Sequence, residues 1–469
     1  MPVASISRQF ARWAATTTFD DLPSEVVAKI KSLILLHLVA GLHGQADEHG
    51  TALVRQIEVE EHHPGGASVF GRSVPVTRGG AVFANCELFH CAGLYDSYRM
   101  LTHPGPSLIA AALTNAELSG KGMRDVITAL AVGYEFECRL AHDFIPTVSA
   151  HGFRPSPVFS TMGAAMVSGK LLDLDEDGLV AAIAIAANCA GGLNEDGRAG
   201  GGERVIHEAV AARQGTFAAM TAALGDIKGS ETVIEGDAGF LNGFAGSRDG
   251  RLSYVFDGPL SLDLASLTDG LGRDYRLLQV MYRLYACSGY NQGPIELIRA
   301  MKQKYELSAT DVRSVTIRLN YLETLYPSPA FPKIANVSAP RIGSTPYYVA
   351  HVLLSGDYPI VGQSRAGIAS DTTILDYLTR FTLIGVHGQP MFSPTIEVET
   401  LDGHMYTDSL DYADMLWTFD VLAERLRGGA DGLPGGEETL DEVVDLVRRA
   451  EKLDSVEPVF ALARSRARR

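Results

Sequence analysis

The segment LYDSYRMLTHPGPSLIAAAL, Leu94 to Leu113, sets an acid (Asp96), two hydroxyls (Ser97 and Thr102) and an imidazole (His103) just ahead of a Pro-Gly turn and an Ala/Leu-rich run. A free imidazole titrates near pH 6.5, so modest changes in its surroundings make it either a base or an acid. A carboxylate in the same short loop can orient that ring or accept a proton from a substrate hydroxyl. The segment therefore has the parts of an acid/base site. The plain alternative is that His103 only caps the helix beginning near Pro106.

Other reactive residue types carry less. The five cysteines, Cys86, Cys91, Cys138, Cys189 and Cys287, are odd in number and form no C-x-x-C pair, which points to reduced, buried thiols rather than disulfides or a zinc site. Cys287 has no visible His-Asp partner to make it a nucleophile. His62-His63 and the scattered His37, His43 and His49 lack ligand spacing, so no metal is expected.

The elements that must position the loop follow from composition and patterning. A chain of 469 residues allows two or more domains, at roughly 150 residues each. With 46% hydrophobic and 20% charged residues it can build an ordinary globular core. A formal charge of −16 argues against a nucleic-acid partner. An anionic small molecule stays admissible where a few arginines converge, because close pairing outweighs a screened global charge. Arg8 and Arg12 flank no apolar core of the kind a secretory signal needs. The apolar runs Ser32–Leu42 and Leu179–Leu193 fall short of the ~20 residues that span a bilayer. The expectation is a cytoplasmic protein with no membrane partner.

Helical spacing dominates the first part of the chain, through Leu22–Leu42, Gly122–Phe144, Thr161–Leu174, Asp175–Leu193 and His207–Gly225, and their Ala/Gly density predicts helices packed closely on several sides. From about Arg273 the texture changes. VRSVTIRLN (Val312–Asn320) and PTIEVETLDGHMYTDSL (Pro394–Leu410) alternate like strands, with Asp402-Gly403 as a hairpin turn. Thr345–Asp357 and Thr372–Val386 between them look helical, and helical patterns return after Asp411. This predicts a mainly α fold: a large, discontinuous, all-helical bundle domain (1–268 and 411–469) and a smaller α+β lid domain (269–410).

Four segments together resemble the MmgE/PrpD family. They are YDSYRMLTHPG, an acidic loop ending in His-Pro; GYEFECRL (Gly133–Leu140); GFRPSPVFSTMGAA (Gly152–Ala165); and RVIHEAVAARQG (Arg204–Gly215). Weaker echoes lie at Tyr282–Leu297 and Ser338–Ala350, so the resemblance covers nearly the whole chain. It implies a helical domain with an α+β lid, an active site in the crevice between them, a homodimer, and no dissociable cofactor. Family substrates carry two or three carboxylates, and the reactions begin with a proton shift next to one of them. That needs a base, cations, and donors for an enediolate-like intermediate.

Carried over residue by residue, the resemblance makes His103 the catalytic His-Pro histidine and His207 a further site histidine. The family's acidic loop reads here Gly93-Leu94-Tyr95-Asp96-Ser97, so its first acid is gone, and Asp96 is the candidate that remains beside Ser97. Arg154 stands where the family has histidine, and Arg204 and Arg283 where it has lysine. A guanidinium cannot shuttle protons at physiological pH, but its planar fork grips a carboxylate bidentately. His151 is a possible substitute imidazole. Ser288 and Gln292 replace expected histidines on the lid, with Tyr285 and Tyr290 as possible donors. Clamps kept and proton carriers lost imply a divergent member acting on a different small anionic substrate. The expected activity is a lyase, by dehydration or decarboxylation, with an isomerase or epimerase next and a non-catalytic binding protein after that.

Overall fold

A computed structural model describes residues 4–332, 343–361 and 371–466. The start of the 338–350 echo, through Ile342, lies outside the described residues. Helices fill the first half: α1 (Ile6–Thr16), α2 (Ser24–Gly44), α3 (Glu48–Glu60), α4 (Arg78–Cys91), α5 (Pro104–Ser119), α6 (Met123–Ala141), α7 (Ile145–Ala150), α8 (Pro155–Leu171), α9 (Glu176–Cys189), α10 (Glu195–Ala199), α11 (His207–Ala222) and α12 (Phe240–Ala245). Their starts are written in the sequence. Ser5, Asp47, Thr77 and Asp175 each accept a first-turn amide at the head of α1, α3, α4 and α9.

The Ala/Gly density has the packing consequence expected of it. A side-chain carbon at Gly215 of α11 would lie 2.5 Å from the Thr161 carbonyl oxygen of α8. At Gly133 of α6 it would meet Val167 of α8 at 2.2 Å. These helices touch backbone to backbone, so α5, α6, α8 and α11 form one dense layer. Among the described residues α2 alone is long and apolar enough to cross a bilayer, longer than its apolar run suggested, but most of it is buried in the bundle.

The fold class is as expected, mainly helical with a smaller α+β part. The latter is a four-stranded sheet, β4 (Val312–Asn320), β5 (Phe381–Val386), β6 (Thr395–Thr400) and β7 (Met405–Ser409), in the order β5-β4-β6-β7. Helix α13 (Gln292–Lys304) packs on it. Gly403 at φ 90° turns the β6–β7 hairpin.

One expectation fails here. The run Thr372–Val386 is α-helical to Tyr377 and continues as a 3-10 turn over Leu378–Arg380, but Phe381–Val386 pairs parallel to β4. Its Thr, Ile and Val side chains suit a strand, and a free sheet edge overrides the helix-like spacing before them. The C-terminal helices return to the start of the chain: Gly436–Arg448 packs on α2, Lys31 pairs with Glu451 at 2.7 Å, and Met123 donates its amide to Leu453.

A second, two-stranded sheet positions the site. A short strand β1 (His62–Ala67) lies between α3 and α4; strand β2 (Tyr95–Ser97) pairs antiparallel with β3 (Met281–Arg283), placing Tyr95 opposite Arg283 and Asp96 opposite Tyr282. The loop before α5 is thereby stitched to the segment that leads into α13.

Candidate functional site

Where β2, β3 and the ends of α4, α5, α8 and α11 meet lies a cavity of about 280 Å³. His103, Ser97, Arg154, Arg204 and Arg283 all line it, although they come from distant parts of the chain.

His103 is the residue before the first turn of α5, and its amide donates to Ser156 Oγ at 3.0 Å. Its Nδ1 lies 3.0 Å from the backbone oxygen of Asp96. A carbonyl only accepts, so Nδ1 carries the hydrogen and Nε2 keeps its lone pair. Nε2 has no partner among the described residues. Burial, then Arg283 and Arg154, hold the imidazole pKa well below its ordinary value. The His103 ring is thus a neutral imidazole with an unshared Nε2 lone pair in an arginine-lined cavity.

The turn just before it is strained. Arg99 and Leu101 take φ values of 46° and 77°, conformations that cost about 1–3 kcal/mol each in a non-glycine residue. Ser97 Oγ donates to the Arg99 oxygen at 2.9 Å, and the Thr102 hydroxyl donates to the Tyr98 oxygen. The closed turn places Met100 and Leu101 in the cavity wall.

Asp96 is not a wall residue. Its carboxylate is fully buried behind the loop, accepting from Tyr134 Oη at 2.7 Å and the Gly105 amide at 3.0 Å, with His37 Nε2 at 3.9 Å. Burial raises its pKa, opposed by His37 and Tyr134. It pins the start of α5, and it orients His103 through its backbone oxygen rather than its carboxylate.

The three arginines differ. Arg283 is buried, stacks on the Tyr95 ring at 4.0 Å, and donates one guanidinium nitrogen to the Cys287 oxygen at 2.5 Å. Arg154 is buried and meets Glu208 at 3.4 Å. Arg204 is 47% exposed, between Asp196 and the Tyr326 hydroxyl, each at 3.4 Å. Nε of Arg154 and Nε of Arg283 are buried without a partner among the described residues, so both guanidiniums have a donor left to give.

Three further candidates stand elsewhere. Tyr285 donates to Glu296 at 2.7 Å and accepts from Arg299 at 2.9 Å, away from the cavity. The cause is Gln292, whose amide captures the Leu284 and Tyr285 amides and the Tyr285 oxygen and turns the chain after β3. His207, first residue of α11, is half-buried next to the cavity rather than in its wall. Its pKa is lowered by burial and then by Arg154. His151 is exposed and bonds Thr147. Ser288 and Tyr290 do line the cavity, as does Cys287, whose buried thiol is pushed up to about 12 and stays protonated at neutral pH.

Sequence reasoning passed over His90, Tyr95, Tyr326 and Tyr348, all in the cavity wall, and Glu208, the buried counter-ion of Arg154. Glu208 had a signal, an acid directly after His207 in an otherwise apolar helix face. His90 had only its place in an apolar helix.

Comparison with known proteins follows the same line. The model of the MmgE/PrpD N-terminal domain matches residues 8–253. A cis-aconitate decarboxylase-like protein of Aspergillus oryzae is 27% identical over 334 residues, covering 68% of this chain and 67% of that protein. A cis-aconitate decarboxylase of Aspergillus terreus is 25% identical over 330 residues, covering 68% of this chain and 65% of its own length. The chain thus matches about two thirds of these relatives.

Proposed function

The chain belongs to the MmgE/PrpD family, and we propose that it is a cofactor-independent lyase acting on a small polycarboxylate, as a homodimer in the cytoplasm. Decarboxylation is put ahead of dehydration because the relatives bear cis-aconitate decarboxylase names. The observation that carries the reading is His103, fixed by Asp96 O as a neutral base in the cavity that Arg154, Arg204 and Arg283 line.

In this reading the substrate carboxylates lie on Arg283 and Arg154, whose spare Nε–H groups complete bidentate pairs. His103 Nε2 removes a proton from the carbon next to a carboxylate, and the electron pair moves into that carboxylate as an enediolate. The guanidiniums hold the growing charge, as fixed donors aimed at a developing anion do. In a dehydration the enediolate then expels a hydroxyl from the next carbon and leaves an olefin; in a decarboxylation of an unsaturated acid the His103 proton returns to the far carbon of the allylic system, CO2 leaves, and the electron pair it leaves behind takes up a proton.

The test is proton NMR in D2O with citrate, methylcitrate, cis-aconitate and iminodisuccinate-type acids. New olefinic signals or a lost carboxylate are expected. Deuterium entering an otherwise unchanged skeleton would replace the lyase by an isomerase. A spectrum unchanged across the panel would contradict the proposal.

A further inference from the structure

Among the described residues, three largely buried imidazoles are tied to the protein itself. Nδ1 of His37 bonds the Leu33 oxygen at 2.7 Å, Nδ1 of His103 bonds the Asp96 oxygen, and Nε2 of His142 takes a hydrogen bond from Arg99 at 2.7 Å. His90 is different. Both of its ring nitrogens are buried without a partner among the described residues, and its ring lines the cavity. A buried polar group left unmade is costly, so its partner is sought in what the cavity binds.

Its placement is specific. His90 sits in the last turn of α4, with its ring 4.8 Å from that of Tyr95. His103 meets the same Tyr95 ring at 4.9 Å, edge to face. Tyr95 therefore spaces two imidazoles along one wall, with Arg283 stacked on it as well. The groups acting on His90 are Arg154 before α8, Arg204 and His207 at the start of α11, Arg283 of β3, and His103 before α5. All are cationic or neutral. Glu87, one turn earlier on α4, is buried and pushed up to about 8, so it adds little negative charge near neutral pH.

We propose, resting on the lyase reading, that His90 is a second catalytic imidazole of this cavity, which takes up a proton when substrate carboxylates settle on the arginines and delivers it while His103 acts as base. In the free protein burial and then Arg154, Arg283 and Arg204 hold its pKa down to about 3; a bound anion removes the arginine part of that effect, and a substrate carboxylate hydrogen-bonded to the ring as its missing partner raises it past the burial part. The step balances. In a decarboxylation the proton taken by His103 goes back to the far carbon of the allylic system, the C–CO2 bond breaks, CO2 leaves, and the electron pair left on carbon takes the His90 proton in a new C–H bond, so one solvent proton is consumed per turnover. In a dehydration the same proton leaves with the hydroxyl as water, and the proton taken by His103 returns to solvent.

The experiment is isothermal titration of the full chain with propane-1,2,3-tricarboxylate, a non-reacting probe, in buffers of different ionisation heat at pH 7.5. About one proton taken up per bound anion is expected. His90→Gln and His90→Asn should lose that uptake, and His103→Gln should keep it. Should neither His90 variant fold, 15N signals of the wild-type imidazoles decide, since His90 must turn to imidazolium on binding. Binding with uptake unchanged in the His90 variants, or with His90 still neutral, overturns the assignment even if the lyase chemistry is right. His90-dependent uptake with no polyacid turned over keeps His90 and removes the lyase reading. No binding of the tricarboxylate overturns both.

Discussion

A single contact fixes the protonation form of His103: the Asp96 oxygen can only accept, so the ring offers Nε2 as a base and nothing else. With its pKa held well below the usual value by burial, Arg283 and Arg154, the base form persists on the acid side of pH 6.5. An ordinary imidazole loses half its base form by about pH 6.5, and a lowered one has lost almost none there. The 15N shift of the His103 imidazole in the free protein should therefore report the neutral ring through pH 6.5, with the base form lost only at lower pH. A half-loss at 6.5 would place the base in ordinary solvent. Arg283 makes a second test. Lysine has no flat face to lie on Tyr95 and no fork for a carboxylate, so Arg283→Lys should weaken tricarboxylate binding by roughly tenfold or more in titration calorimetry. At this scale much of the site was legible in the sequence. His103 and the three arginines stand in local motifs, and each motif carries its chemistry with it. Asp96 and Tyr285 did not behave as their types suggested, because what a side chain faces is set by partners such as Tyr134 and Gln292 that no spacing reveals.

Elements do the converging. Glu208 on α11 holds Arg154, and Ser156 in the first turn of α8 takes the His103 amide, so three helix starts share one network. Removing one partner of a buried ion pair strands the other, which costs about 3–5 kcal/mol. Glu208→Leu should lower stability by that order in urea unfolding, and the double change Arg154→Met with Glu208→Leu should recover most of it. The α8–α11 contact itself rests on Gly215, where an added methyl would meet the Thr161 oxygen at 2.5 Å and Ala164 Cβ at 2.7 Å. Gly215→Ala should cost about 1–3 kcal/mol in the same measurement, and a neutral result would mean the helices are free to separate. The helices and the β6–β7 hairpin were readable because caps, period and turn residues are local. The strand Phe381–Val386 was not, since its pairing with β4 depends on a partner far away in the chain.

The whole molecule combines a net charge of −16 with a cationic cavity, a contrast that works because the arginines act within a few ångströms and the surface charge is screened beyond about 10 Å. His90, Tyr326 and Tyr348 escaped sequence reasoning for the corresponding reason: they come together only when β2 and β3 join the two parts of the chain. One surface is unusual. Along α11, Val210, Phe217 and Met220 are 38%, 54% and 41% exposed, and Leu224 just beyond it is 71% exposed, an apolar stripe at helical spacing. For the proposed homodimer this is the face a second copy would cover, so Phe217→Asp should halve the mass seen by sedimentation while the fold persists. The most direct measurement of the central claim is solvent-deuterium entry next to a carboxylate of cis-aconitate, followed by NMR in the wild type and in His103→Gln. Exchange or product formation slowed by about 10²–10⁴ in the variant is the expected result. Exchange at the wild-type rate without His103, or none in the wild type, would contradict it.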